Sequence, residues 1–128
     1  GQSVPGHVLA VDFASGLAAG RRLVALPDGP TAIFAANDDM AAGVVNAALQ
    51  LRRSVPEELS ICGFDDSWIA RSVFPELTTV HQPIAEMAGA AVDLLLGLRP
   101  ERHARLDYAL VLRASTAPPP GQDQPKAG

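Results

Sequence analysis

The chain is poor in the residues on which disulfides, metal sites and nucleic-acid contacts depend. Its 128 residues include one cysteine, Cys62, three histidines and a single lysine, Lys126. One cysteine excludes an internal disulfide, and the three dispersed histidines do not have the spacing of zinc ligands. With a formal charge of -4 and a pI near 5.2, the chain also lacks the basic character of proteins that bind phosphate backbones, so we expect DNA contact only through another domain.

Long apolar runs and phosphate-binding loops are missing as well. No stretch reaches the roughly 18 apolar residues of a membrane span, no basic-then-apolar leader is present, and neither G-x-G-x-x-G nor a P-loop occurs. We therefore expect a cytoplasmic protein, or a fragment of one, with no membrane partner, no metal, no cofactor and no catalytic residues. A composition of 48% hydrophobic and 19% charged residues is that of an ordinary globular domain with one core.

The most informative stretch is residues 30–43, PTAIFAANDDMAAG. Its short, continuously apolar run is typical of a parallel strand covered on both faces, and a helical pattern follows the polar corner Asn37, Asp38 and Asp39. Asparagine and aspartate at such a corner accept hydrogen bonds from the first N–H groups of the helix, and ligands bind at the carboxyl ends of such strands. We predict that Asn37 caps the helix; the corner itself leaves open whether it also contacts a ligand.

A second corner of the same kind lies at residues 60–66, SICGFDD. Cys62 in this apolar run is interpreted as a small buried hydrophobe. A predicted helix over 40–51 and a Val-Pro-Glu-Glu break lie between the two corners, so strand, helix and strand form a βαβ unit with parallel strands. The sequence therefore predicts an α/β fold in which the two corners form one polar rim.

The paired aspartates Asp38–Asp39 and Asp65–Asp66 have two interpretations. Adjacent carboxylates can bind magnesium or take part in catalysis, but neighbouring side chains usually point in different directions, which favours helix capping and loop structure. A phosphoacceptor receiver domain has a similar size and α/β alternation. It needs a lysine near its acidic pocket, however, and Lys126 lies in the terminal tail.

The remaining segments show weaker patterns. We predict a strand over 7–13, a helix over 15–26, a loop with one helical turn over 67–74, a strand over 77–80, a helix over 83–98 that starts at Pro83, and a last strand over 106–113. The proline-rich residues from 114 onward are expected to be disordered. On the helix over 40–51 the apolar arc is wider than packing on one sheet requires, so either a second surface covers it or exposed alanines are tolerated.

Three strings together resemble the C-terminal half of the effector-binding region of the lactose/galactose repressor (LacI/GalR) family: PTAIFAANDDMAAG, VPEELSICGFDDS and PELTTVHQPIAEMAGAAVDLLL. The closing LVLRASTAPP is similar to that family's chain end, and the likeness covers residues 31–119. The VDFASG string near Phe13 is two residues shorter than the family pattern, so a family ligand contact there is not placed. The resemblance implies the second lobe of a type I periplasmic-binding-protein-like fold, a Rossmann-like parallel sheet flanked by helices.

The resemblance implies a bacterial transcription regulator that senses a small metabolite, either a sugar or a nucleobase-like molecule. Carried over by motif, Asn37 and Asp65 bind ligand hydroxyls or ring nitrogens, and Gln82 and Ile84 lie at the crossover near the cleft. A carboxylate beside an amide suits this task, because aspartate accepts hydrogen bonds while asparagine both donates and accepts them. One lobe alone is expected to bind sugar weakly or not at all.

The resemblance also implies a homodimer, formed through the helix after the Asn-Asp corner and the loop after GFDD. The contacts carried over to this chain are Ala41, Val44, Val45, Ile69 and Val73. Family members bind DNA through an N-terminal helix-turn-helix domain, which is not part of this sequence.

Domain boundaries follow from the same resemblance. Residues 1–80 and 103–117 are assigned to the C-terminal lobe, residues 81–102 to a crossover and helix of the N-terminal lobe, and residues 118–128 to a disordered tail. Without that lobe the apolar face of the helix over 83–98 has no sheet to cover it. The helix then folds onto its own lobe, packs on a partner chain, or belongs to a longer polypeptide, and we favour the last arrangement.

A sugar-binding receptor of a transport system has the same two-lobed fold and is the alternative function. Such a receptor is exported, and no leader is visible in this sequence. The AANDDMAAG and GFDD strings favour the regulator. An enzyme is a more distant alternative, which turnover of simple sugars would reveal.

Overall fold

The computed structural model describes residues 11–100 and 105–122, which contain three helices and four short strands. The helices are α1 (Phe13–Val24), α2 (Asp38–Gln50) and α3 (Ile84–Leu95), with a 3-10 turn at Trp68–Arg71. The strands are β1 (Ala32–Phe34), β2 (Ser60–Cys62), β3 (Thr79–His81) and β4 (Ala109–Val111). Apart from the strand over 7–13, each segment predicted as a helix, a strand or a helical turn overlaps an element of that type.

The strands follow one another in the order β1, β2, β3, β4, with isolated bridges joining the first pair to the second. β1 and β2 run parallel with Ile33 opposite Ile61, which confirms the predicted parallel pair. Beyond β2, parallel bridges pair Cys62 with Thr78 and Asp65 with His81, and β3 pairs antiparallel with β4. The carboxyl ends of β1, β2 and β3 therefore lie at the same edge.

Helix α1 begins two residues earlier than predicted because Asp12 caps it. The Asp12 carboxylate accepts a hydrogen bond from the Ser15 N–H at 2.9 Å, and the Ser15 hydroxyl accepts one from the Asp12 N–H at 3.2 Å. This reciprocal pair is a capping box. The predicted strand over 7–13 is wrong over residues 11–13, since Val11 and Asp12 precede the helix and Phe13 opens it; residues 7–10 lie outside the described residues.

Helix α1 packs directly on α2 through glycines. Gly16 lies against the backbone of Met40, and Gly43 lies against the backbones of Phe13 and Leu17, so a Cβ atom at either glycine would overlap main-chain atoms. Two helix backbones approach this closely only where the facing positions carry no side chain. Helix α1 is thus the second surface that covers the wide apolar arc of α2.

This packing bears on two of the predicted dimer contacts. Val44 lies beside Gly20 of α1, and Ala41 lies beside Gly63 at the end of β2. Both residues are buried within the chain, at 3% and 0% exposure. As the chain is folded, they are not available to a partner, because α1 and the end of β2 already cover them.

The core lies between α1, α2 and one side of the sheet, and its buried members include Leu59, Ile61 and Leu77. Ile33 of β1 packs against this cluster, but its neighbour Phe34 is 65% exposed. The expectation that β1 is covered on both faces is therefore wrong for the described residues. The reason is that α1 and α2 both contribute side chains to a single core cluster, the one against which Ile33 packs.

The segment after β4 is attached to the sheet. The Ser115 hydroxyl donates to the Ile61 carbonyl at 2.5 Å and accepts from the Thr78 N–H at 2.8 Å, while the Ile61 N–H donates to the Ser115 carbonyl at 2.8 Å. Ser115 is fully buried. The expectation of disorder from residue 114 onward is therefore wrong at Ser115, which forms hydrogen bonds with β2 and with Thr78, just before β3.

Helix α3 is exposed on nearly all sides. Ala90 is its one buried residue, whereas Ile84, Val92 and Leu95 are 62%, 52% and 87% exposed. The helix begins at Ile84, one residue later than predicted, with Pro83 at its cap position. Its apolar face is therefore uncovered within residues 11–100 and 105–122. None of the helices described here combines the length and apolar character needed to cross a membrane.

We predict that Gly43→Ala destabilises the fold, because the added methyl group forces α1 away from α2. The expected loss in the free energy of unfolding is about 1 to 3 kcal/mol, as for other overpacked sites. Gly89→Ala is the matched control, since Gly89 lies in α3 with open space around its Cβ position. Alanine there should leave stability unchanged or raise it by up to about 1 kcal/mol. Equal urea midpoints for the two variants would contradict the α1–α2 contact.

Candidate functional site

The two polar corners lie side by side at the carboxyl ends of β1 and β2. The Ala35 N–H donates to the Cys62 carbonyl at 2.8 Å, and the Asp38 N–H donates to the Phe64 carbonyl at 3.0 Å. These backbone hydrogen bonds hold the start of α2 against the loop after β2. The predicted polar rim is therefore present.

Asn37 is the N-cap of α2, as predicted. Its Oδ1 accepts from the Met40 N–H at 2.8 Å, and its Nδ2 donates to the Val11 carbonyl at 2.8 Å. Both ends of the side-chain amide thus hold the protein's own backbone. A ligand contact by Asn37 has to use the second lone pair of Oδ1 or the second hydrogen of Nδ2.

The loop after β2 carries Asp65 and Asp66 in backbone conformations that favour glycine. Their φ angles are 109° and 53°, and aspartate is among the few other residues that tolerate positive φ. The Asp65 N–H donates to the Val80 carbonyl at 2.9 Å, and the Asp65 carboxylate accepts a hydrogen bond from Nε2 of Gln82. The carboxylate and the Gln82 amide therefore form one polar unit at the end of β3.

A cavity of about 620 Å³ opens beside this polar unit. Three of the four predicted ligand residues line it, namely Asp65, Gln82 and Ile84, whereas Asn37 does not. The lining residues that were not predicted as ligand contacts are Asp66, Ser67, His81, Pro83, Ala85 and Glu86. Glu86 has a sequence signal, since it is the acidic residue in the first turn of the helix that follows Gln82.

Asp66 forms an ion pair with Arg113 and a hydrogen-bond contact with His81. Nη2 of Arg113 donates to Asp66 Oδ1 at 2.6 Å, and Nδ1 of His81 lies 3.2 Å from Oδ2. Nη1 of Arg113 also donates to the Leu77 carbonyl at 2.9 Å. The hydrogen bond and the charge of Arg113 hold the pKa of Asp66 below its ordinary value, against the opposing effect of burial. Asp66 therefore clamps the loop to β3 and to the segment after β4.

Asp38, the first residue of α2, is only 1% exposed, and its carboxylate points at the same loop. Oδ2 accepts from the Ser67 N–H at 2.7 Å and from the Ser67 hydroxyl at 3.1 Å, while Oδ1 accepts from the Thr79 hydroxyl at 2.6 Å. Asp39, the next residue, is exposed. The two adjacent carboxylates therefore have different surroundings. The interpretation of the pair as capping and loop residues, rather than a shared catalytic or magnesium site, assumed this difference.

Cys62, the last residue of β2, is partly buried. Burial raises the pKa of its thiol, and the nearby Asp38 carboxylate raises it further. A thiol with a raised pKa stays protonated at neutral pH and is a poor nucleophile.

Within residues 11–100 and 105–122, no group of three or more histidine, cysteine or acidic side chains is placed to hold a metal ion.

A second cavity, of about 210 Å³, has apolar walls that include Val45, Leu49 and Phe74. Leu49 and Phe74 are 73% and 93% exposed, whereas Val45 is 9% exposed. Ile69 and Val73, in the segment that leads to Phe74, are partly buried. Leu49 and Phe74 are therefore exposed apolar side chains close to the predicted dimer contacts Val45 and Val73.

Residues 3–116 match the family described as a periplasmic binding protein-like domain. The probable HTH-type transcriptional repressor ExuR of Bacillus subtilis is 38% identical over 99 residues, which cover 77% of this chain and 30% of that protein. The ribose operon repressor of Escherichia coli is 40% identical over 85 residues, which cover 66% of this chain and 26% of that protein. The chain thus spans less than a third of the length of these curated relatives.

Solved structures of similar proteins have the same fold. A LacI family transcriptional regulator from Bifidobacterium animalis gives a TM-score of 0.79 at 35% identity, over 84% of this chain and 41% of that one. A LacI family transcriptional regulator from Lactobacillus casei with bound glucose gives 0.70 at 37% identity, over 82% of this chain and 40% of that one.

We predict that Asp66 makes stability depend on pH in the acidic range. Because its pKa is lower in the folded than in the unfolded chain, the Arg113 contact stabilises the fold fully above about pH 4, near the pKa of an unfolded aspartate. This stabilisation is lost as the pH falls through the folded-state pKa. Asp66→Asn should therefore lower stability at pH 7 and flatten its decline on acidification.

Urea midpoints measured between pH 7 and pH 3 test this expectation. Asp28→Asn is the control, because Asp28 is an exposed aspartate in the turn after α1. Parallel pH curves for the wild type and Asp66→Asn would contradict the clamp.

Proposed function

Because this chain belongs to the periplasmic binding protein-like domain family and LacI-type regulators are among its relatives, we propose that it is the effector-sensing part of a bacterial LacI-type transcriptional regulator. The observation that carries the proposal is the Asp65–Gln82 pair beside a cavity at the carboxyl edge of the strands. Open α/β folds bind their ligands at this edge. The chain supplies one wall of the cleft, and a metabolite bound there controls DNA binding by a helix-turn-helix domain elsewhere in the protein.

The effector that suits this wall is a small polyol such as a sugar. Gln82 donates to Oδ1 of Asp65, so Oδ2 of the carboxylate remains to accept hydrogen bonds from ligand hydroxyls. Ile84 is 62% exposed and adds an apolar contact for the C–H face of a sugar ring, while Glu86 adds a second carboxylate. Asn37 contributes from the start of α2 with its remaining hydrogen-bonding capacity.

Similar proteins support a sugar as the effector. LacI family regulators from Lactobacillus casei have been solved with bound glucose and with bound sucrose, and one relative is named a ribose operon repressor. A nucleobase-like effector uses the same carboxylate through ring N–H groups and is the alternative class.

The names of the relatives also bear on the type of protein. They are transcriptional repressors and regulators rather than enzymes, and the solved neighbours are LacI regulators. These descriptions support a regulator over a sugar-binding receptor of a transport system, which has the same two-lobed fold.

The chain is divided between two lobes in this proposal. Residues 1–80 and 103–117 form the C-terminal lobe, residues 81–102 form a crossover whose helix α3 packs on the N-terminal lobe, and residues 118–128 lie outside both. Support comes from α3, whose apolar residues are uncovered within the described part of the chain, and from Ser115, which returns to β2 and Thr78. Burying each large side chain of α3 stabilises the two-lobed protein by about 1.5 to 3 kcal/mol.

The regulator is a homodimer in this proposal. The contact surface contains Ile69, Val73 and Val45 together with Leu49 and Phe74, whose exposure makes them its largest apolar contributors. Exposed apolar clusters of this kind mark sites of protein association. A twofold pair brings the same surface of each chain together.

We predict that Asp65→Asn weakens sugar binding by about tenfold to a hundredfold, because a hydrogen bond to a charged group contributes about 1.5 to 3 kcal/mol. Asparagine tolerates positive φ and still accepts from Gln82, so folding and DNA binding should be unchanged. Calorimetry on the intact regulator with glucose, sucrose and ribose measures the effect. Asp39→Asn removes an exposed carboxylate at the start of α2 and is the control.

Equal affinity of the wild type and Asp65→Asn would remove Asp65 from the site. Binding of none of the three sugars to the wild type would instead argue for an effector of another class.

We predict that Leu49→Glu converts the dimer to monomers, because it places a charge in an apolar contact without disturbing the core. Val45 is less suitable for this test, since it is buried and its replacement would also unfold the chain. Gln50→Glu adds the same charge at the neighbouring exposed position and should leave the dimer intact. Analytical ultracentrifugation at tens of micromolar compares the two variants. A monomeric wild type at this concentration would contradict the dimer proposal.

A further inference from the structure

The carboxylate of Asp38 has a position that capping of α2 does not require. Asn37 already caps the helix through the Met40 N–H, and Asp39 shows that an aspartate in the first turn can remain exposed. Asp38 is instead 1% exposed, and no ion pair within residues 11–100 and 105–122 includes it. Burying an ionised carboxylate is unfavourable unless its oxygens accept hydrogen bonds. The contacts that compensate for burial therefore indicate what Asp38 does.

The carboxylate contacts reach the loop just after Asp65, and the backbone N–H of Asp38 reaches it just before Asp65. Ser67, two residues after Asp65, donates its N–H and its hydroxyl to Oδ2 of Asp38. The Thr79 hydroxyl donates to Oδ1 of Asp38 and accepts from the Asp66 N–H at 3.3 Å. Before Asp65, the Asp38 N–H donates to the Phe64 carbonyl. One residue of α2 thus fixes the loop at Phe64 and Ser67 and, through Thr79, at Asp66.

The loop needs this external support because its own backbone is strained. Asp65 and Asp66 both have positive φ, a conformation that persists only where surrounding structure holds it. Gly63 provides the space, since a Cβ atom there would overlap Oδ1 of Asp38. Without the Asp38 carboxylate, the loop loses the hydrogen bonds that join it to Ser67 and Thr79. Its remaining contacts, through the Asp65 N–H and the Asp66 carboxylate, then hold the positive φ angles less firmly.

We propose that Asp38 is a positioning residue for the effector site: its buried carboxylate holds the loop so that the Asp65 carboxylate faces Gln82 and the cavity. This inference rests on the proposed function, because it gives Asp65 the role of ligand contact. Asp38 itself does not line the cavity. Its effect on the ligand passes entirely through the loop.

The test compares Asp38→Ala, Asp38→Asn and the control Asp39→Ala in the intact protein. Hydrogen–deuterium exchange should rise about tenfold or more in residues 63–67 of Asp38→Ala, since hydrogen bonds to a charged group are lost, while α2 keeps its protection. Asp38→Asn should give a smaller rise, because its amide oxygen still accepts from Ser67. Asp39→Ala should match the wild type.

Calorimetry gives the second readout, with glucose, sucrose and ribose as probes. Asp38→Ala should weaken the tightest of these sugars by about tenfold, and Asp38→Asn should recover part of the loss. In an Asp65→Asn background, Asp38→Ala should cause a smaller loss than in the wild type, because the contact that Asp38 positions is already weakened. A purely structural role would instead add its loss to that of Asp65→Asn.

Three results would overturn the proposal: unchanged exchange in residues 63–67 of Asp38→Ala, an equal change in Asp39→Ala, or an additive loss in the double variant. If Asp38→Ala does not fold, the same comparison between Asp38→Asn and Asp39→Asn decides the question. If the wild type binds none of the sugars, the proposed sugar effector fails, and exchange in residues 63–67 still decides whether Asp38 holds the loop.

Discussion

The buried carboxylate of Asp38 joins the parts of the fold that meet at the cavity. It belongs to α2, and its partners belong to the loop after β2 and to β3. A carboxylate is stable in this position because three donors satisfy it and because it lies at the N-terminus of α2, where the helix dipole favours negative charge. The position of α2 is itself set by the glycine contact with α1. The close approach of two helices therefore bears on where the loop at the carboxyl ends of the strands can lie.

The sequence predicted those parts of this arrangement that are marked by a pattern of neighbouring residues. The step from the apolar run to Asn37 marks both the end of β1 and the cap of α2, and the repeated corner at Asp65 implies a parallel neighbour. Topology then places Asp65 and the residues after β3 at one edge, and the resemblance selects Gln82 and Ile84. Three of the four predicted ligand residues line one cavity for this reason, while Asn37 uses its amide on the protein's own backbone.

The parts that the sequence did not predict depend on contacts between distant segments. Gly16 and Gly43 are ordinary residues in helical strings, and nothing in either string identifies the other as its partner. Ser115 lies in a proline-rich stretch whose composition is that of a disordered tail, yet its hydroxyl and carbonyl bind β2 and Thr78. Asp38 and Asp39 are identical in type and adjacent, so only the packed structure separates the buried carboxylate from the exposed one.

Asp65 and Asp66 stand next to each other but serve different parts of the molecule. One carboxylate meets the cavity through Gln82, and the other binds Arg113 beside β4. Their Cα atoms are only about 3.8 Å apart, as in any trans peptide, so a change in the torsions of this loop alters both contacts at once. The loop is therefore a poor place for a new ligand preference to evolve. Glu86 lies on the α3 side of the cavity and outside this loop, so divergence in specificity within this fold is expected to begin there.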